Sequence, residues 1–94
     1  MVDLDHTQYI KAEEVLVQEL DGEAVLLNLA NEFYYGLDET GYRMYTIITS
    51  SDSLKAAYES LLDEFDVDPA LLRRDFENLV HDLIDSGLIV KANG

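Results

Sequence analysis

Apolar positions fall into two regimes along this chain. From Val15 to Leu37 they come in short dense runs, Val15-Leu16-Val17 with Leu20, Ala24-Val25-Leu26-Leu27 with Leu29, and Phe33-Tyr34-Tyr35 with Leu37. From Tyr42 onward they recur every three or four residues. Short runs bounded by turn residues predict strands, and the longer period predicts helices. Asp21-Gly22 is a residue pair favoured in a tight type I′ hairpin turn, and Ala30-Asn31-Glu32 is a turn-sized polar break. The pattern therefore predicts strands over 15–20, 24–29 and 33–37, joined as an antiparallel meander whose first and third strands are edges. If Leu37 is buried, Phe33 and Tyr35 share its face while Tyr34 and Gly36 point the other way. This third strand has neither Lys nor Pro, the usual guards of an open edge. Cover by a helix or by the N-terminal arm is the competing expectation.

Asp38 stands where a helix would be capped, and a helix over about 39–49 follows, with Tyr42, Met44, Tyr45, Ile47 and Ile48 as its apolar positions. Gly41 in its first turns costs ~1 kcal/mol against Ala, which close packing against the sheet would explain. Ser50 to Ser53 closes that helix and caps a second, in which Leu54, Ala57, Tyr58, Leu61, Leu62 and Phe65 keep the helical rhythm. Asp68-Pro69 opens a third over about 69–85, and Gly87 suits the left-handed position after its end. Leu72, Phe76, Leu79 and Leu83 form one stripe of it, which Val80 and Ile84 widen beyond what a small core needs on one side. The tail Leu88-Ile89-Val90 adds a strand or closes the core. Residues 1–14 are polar and without period, so the expected organisation is a flexible arm followed by one domain over 15–94. The fold class is α+β, a three-stranded antiparallel sheet followed by three helices.

Composition narrows the function more than the fold. A chain of 94 residues forms one domain with a small core, and 48% hydrophobic content is that of a globule and not of an acidic tail. Cysteine is absent, which removes disulfides, thiolate chemistry and cysteine-based zinc sites. Twenty acidic against six basic residues, a net charge of -14, oppose a phosphate backbone or an anionic lipid surface. With no long apolar segment and with acidic residues at the N-terminus, a cytoplasmic protein is expected, with neither membrane nor nucleic acid as partner.

Catalysis needs a nucleophile, a metal or paired titrating groups. The two histidines, His6 and His81, have no metal-ligand spacing, and His81 falls on the outer side of the third helix. Glu64, Asp66 and Asp68 alternate like the opening of a calcium loop, with Asp75 at its twelfth position, but Pro69 stands where that loop requires glycine. Helix capping accounts better for these acids. Arg73 and Arg74 either decorate a solvent face or contact a ligand carboxylate. No catalytic residue, metal or cofactor is expected, and the chain is read as non-enzymatic.

Asp21-Gly22-Glu23, Val25 to Leu29, Phe33-Tyr34-Tyr35-Gly36-Leu37-Asp38, Thr40-Gly41, Val67-Asp68-Pro69 and Gly87-Leu88-Ile89, in this order and spacing, resemble the PqqD family of peptide chaperones, also called RiPP recognition elements. The resemblance implies a winged-helix-like domain that binds the leader segment of a ribosomally made precursor peptide and presents it to a separate peptide-modifying enzyme or leader protease. The leader would add as a strand to the third strand, in the groove toward the third helix, by β-augmentation. Carried over by position, the edge is Phe33, Tyr34 and Tyr35. The groove wall is Arg73, Phe76, Val80 and Leu83, with Leu72 or Leu79 as alternatives one position away. Tyr45 stands where the family often has tryptophan. The alternative from another class is a winged-helix nucleic-acid-binding regulator with the third helix in the major groove, against which Asp75, Glu77, Asp82 and Asp85 weigh. Edge pairing of two copies would give a homodimer.

Overall fold

The computed structural model describes residues 6–92. Its elements run β1 (Tyr9–Lys11), β2 (Val15–Leu20), β3 (Glu23–Asn28), β4 (Phe33–Leu37), α1 (Glu39–Ser50), α2 (Leu54–Glu64), α3 (Pro69–Asp85) and β5 (Ile89–Lys91). Strands β2, β3 and β4 form the antiparallel meander in that spatial order. Asp21 and Gly22 at the first turn have φ of 55° and 85°, the left-handed pair that a type I′ turn demands. At the second turn Asn28 Oδ1 accepts from the Ala30 N–H (2.9 Å) and Asn31 Oδ1 from the Phe33 N–H (2.8 Å). Side-chain oxygens thus replace ladder bonds where the chain reverses.

One face of the sheet is apolar and covered. Val15, Ala24, Leu26 and Leu37 point toward the helices, which return Met44, Tyr45, Ile47 and Ile48 from α1, Leu54, Ala57 and Leu61 from α2, and Leu72, Phe76, Val80 and Leu83 from α3. Each such Leu, Ile or Phe contributes ~1.5–3 kcal/mol by leaving water. The expected caps all form: Asp38 Oδ1 accepts from Gly41 N–H (2.7 Å), Ser53 Oγ from Ala56 N–H (3.0 Å), and Asp68 Oδ1 from Ala70 N–H (3.2 Å). A Cβ on Gly41 would meet Asp38 Oδ1 at 3.2 Å and the Leu37 side chain at 3.3 Å, so the glycine lets α1 start tight against the end of β4.

The arm departs from expectation. Residues 1–5 lie outside the described residues, but Tyr9–Lys11 pairs with Ile89–Lys91 in a second, two-stranded sheet. Ala12 N–H donates to Leu88 O (3.2 Å), Ala92 N–H to Gln8 O (3.0 Å) and Leu54 N–H to Thr7 O (2.9 Å), tying the arm to the tail and to the start of α2. A three-residue strand whose partner comes from the other end of the chain leaves no periodicity to read. The tail closes the core through Leu88 and Ile89, both buried. The result is an α+β, winged-helix-like fold with the three-stranded sheet preceding the three helices. Among the described residues no helix is long and apolar enough to cross a membrane.

Candidate functional site

β4 is an edge strand. It pairs with β3 from Ala24↔Leu37 to Asn28↔Phe33, and among the described residues no strand lies on its other side, since β1 and β5 pair with each other in a separate sheet. Backbone groups that alternate outward along such an edge remain open to a further strand. The side chains grade along it: Leu37 is buried, Tyr35 half-buried and Phe33 43% exposed on the inner face, while Tyr34 is 72% exposed on the outer. The inner face therefore runs off the core toward the start of β4, so that Phe33, expected inward, meets solvent there.

Tyr35 reaches across to α3. Its hydroxyl donates to Asp82 Oδ2 (3.2 Å), and burial first, then the Asp82 charge and hydrogen bond, raise its pKa. The contact holds the C-terminal half of α3 to β4. Leu79, half-buried against the core, lies one turn before Asp82, with exposed Asp75 and Leu71 one and two turns further back on the same side. Phe33 and Tyr35 on the inner face of β4, and Leu79 and Asp82 on α3, are thus the incompletely buried side chains around this contact.

The residues of the carried-over groove wall stand in two environments. Phe76, Val80 and Leu83 are completely buried at 0% exposure, held in the core under the sheet, and offer no surface to a ligand in this conformation. A stripe of apolar residues on a helix is the same in sequence whether it meets its own core or a guest. Arg73 stands nine residues before Asp82, about 180° round the helix at 3.6 residues per turn. It faces α2, with Nε on Glu77 Oε1 (2.6 Å) and its guanidinium 5.6 Å from the Tyr58 ring centroid. Leu79, weighed as an alternative, keeps some exposure where Phe76, Val80 and Leu83 keep none. Asp82 was missed. The signal for it was the inward parity of Tyr35, whose hydroxyl needs a polar partner once its ring is packed.

Other polar groups are already engaged. In the open cleft between the β2–β3 turn, α1 and α2, Arg43 holds Glu64 through two hydrogen bonds (2.7 and 2.6 Å), which lowers the Glu64 pKa, and Tyr42 donates to Glu19 (3.1 Å). Of the carboxylates that suggested a calcium loop, Glu64 is in that pair and Asp68 caps α3.

TbiB1 in complex with the TbiA(beta) leader peptide is similar at 25% identity with a TM-score of 0.75, over 85% of this chain and 93% of that one. A lasso peptide synthetase B1 complexed with the leader peptide shares the fold at 23% identity and a TM-score of 0.75, over 88% of this chain and 98% of that one. Curated protein sequences give no match. The family model described as coenzyme PQQ synthesis protein D (PqqD) matches residues 23–89, from the start of β3 to the start of β5. By that match this chain belongs to the PqqD family.

Proposed function

We propose that this chain is a non-catalytic chaperone, working in the cytoplasm, that captures the leader segment of a ribosomally made precursor peptide and presents the remainder to a separate modifying enzyme or leader protease. The observation that carries the reading is the strand edge of β4, unpaired among the described residues and aromatic in a chain of this family, beside the Tyr35–Asp82 contact with α3. An extended segment laid there would take main-chain hydrogen bonds from β4. Its alternate side chains would meet Phe33, Tyr35 and Leu79. The two solved neighbours, both in complex with leader peptides, support the same class of ligand. The nucleic-acid alternative gains nothing from α3, where Arg73 pairs with Glu77 (2.6 Å) and Arg74 lies 3.8 Å from Asp75.

Titration with the leader of a precursor encoded beside this chain should move the amides of 33–37 and of α3 near Leu79 and Asp82. Tyr34→Lys, at a 72% exposed position, should keep the fold while weakening leader binding about tenfold, ~1.4 kcal/mol, because a lysine on an edge is how strands resist addition. Amide shifts confined to other elements, or unchanged affinity in both Tyr34→Lys and Leu79→Ala, would overturn the reading.

A further inference from the structure

We propose that the outer face of the β2–β3–β4 sheet is a second docking surface, for a partner protein that presents an apolar helix flanked by lysine or arginine. This goes beyond leader capture at the β4 edge and does not depend on it. Leu16, Leu27 and Tyr34 form one cross-strand row on this face, and Gln18, Val25 and Gly36 form the next. Leu20 is 75%, Leu16 55% and Val25 45% exposed. Among the described residues nothing lies within 4 Å of where a Gly36 side chain would begin, so the face is open at its β4 side. An antiparallel sheet with one solvated face ordinarily shows polar residues there. A contiguous apolar face marks an interaction site.

Charge selects the occupant. Between Lys11 and Arg43 there is no basic residue, whereas eight carboxylates stand in that interval, which holds the whole sheet. Glu23 and Asp38 border the same hollow as Leu20, Val25 and Gly36. A second copy would set carboxylate against carboxylate. Three strands ~4.8 Å apart and six residues at ~3.4 Å each make a face of roughly 300 Å², about the footprint of a single helix ~10 Å wide laid along the strands. An anionic lipid surface would be repelled. A helix with cationic flanks meets both features, its apolar stripe covering the leucines while long Lys or Arg stems reach the acidic rim. It would add to this face the layer that α1 and α3 supply to the other.

The probe is a synthetic peptide of about eighteen residues, long enough to form a helix, with Leu at helical spacing and Lys elsewhere; the control replaces Lys by Glu. Titrated at low salt into the full chain, the Leu/Lys peptide should gain helicity and shift the amides of Leu16, Leu20, Val25 and Leu27. The Glu control should not. The double variant Leu16→Ser/Leu20→Ser, with circular dichroism and melting checked against the parent, should lose about tenfold or more in affinity for the probe and keep its leader binding. Shifts confined to the β4 edge and α3, equal binding by the double variant, binding of the Glu control, or no binding at all would each overturn the proposal. So would sedimentation showing a dimer that the double variant abolishes, since the occupant would then be a second copy. Because the leader titration reads a different set of amides, failure here and failure of leader capture are separable.

Discussion

Tyr45 brings its ring into the core at 4% exposure, and among the described residues its hydroxyl has no hydrogen-bond partner. Burial, with a smaller contribution from Tyr42, pushes its pKa up to about 12. In the unfolded chain a tyrosine ionises near pH ~10. Between about pH 10 and 12 the unfolded state therefore sheds a proton that the folded state keeps, so stability is intact below ~10 and falls as pH rises through ~12. Tyr45→Phe removes both this alkaline loss and the desolvated hydroxyl, and should raise stability by about 1 kcal/mol at neutral pH and by more near pH 11. Urea unfolding at the two pH values checks the sign, and a variant less stable than the parent at both would mean the hydroxyl is satisfied. Asn28 is the opposite case, a buried polar residue with both ends used, Nδ2 donating to Gly87 O (3.1 Å) and Oδ1 accepting from Ala30 N–H (2.9 Å). It joins the β3–β4 turn to the end of α3, where Gly87 turns at φ 70° and a Cβ would meet Asn28 Nδ2 at 3.2 Å. Asn28→Ala orphans both backbone groups and should cost about 1–3 kcal/mol in chemical denaturation.

α3 shows at the scale of an element what a sequence reveals and what it hides. Asp68-Pro69 and Gly87 mark its ends through their own backbone chemistry, and the expected 69–85 is the observed Pro69–Asp85. The use of its apolar stripe was not legible, because Phe76, Val80 and Leu83 would be apolar whether they faced the sheet or a guest. The meander was readable for the same local reasons, although β3 begins and ends one residue before the expected 24–29. The β1–β5 pair was hidden because it joins the two ends of the chain. The division within α3 can be measured. Phe76→Ala empties a fully buried site against Tyr58, 5.6 Å away between ring centroids, and should cost about 3–5 kcal/mol of stability. Leu79→Ala, at the half-buried margin beside Asp82, should cost less than about 2 kcal/mol while reducing leader affinity. Should Leu79→Ala prove as destabilising as Phe76→Ala with leader affinity unaltered, this margin belongs to the core and the peptide must lie elsewhere.

Charge is the property of the whole molecule that local reading leaves unresolved. A net charge of -14 on 94 residues opposes compactness by self-repulsion, yet three of the six cations, Arg43, Arg73 and Arg74, are each within 4 Å of a carboxylate. The two effects have opposite salt dependence. Screening weakens exposed ion pairs, which contribute ~0–1 kcal/mol each, and also weakens the many longer-range repulsions between acids that make no ion pair among the described residues, including every acid in sequence between Lys11 and Arg43. Raising ionic strength from ~0.01 to ~0.1 M shortens the screening length from ~30 to ~10 Å, which spares pairs in contact and removes repulsion across a body whose longest axis is 35 Å. Repulsion should therefore lose more. The melting temperature is expected to rise over this range by several degrees, since ~1 kcal/mol moves a domain of this size by ~4–8 °C. Scanning calorimetry across the salt series decides it: a fall would mean that the arginine pairs outweigh the repulsion and that the acidic sheet carries less unmet charge than a basic partner would need.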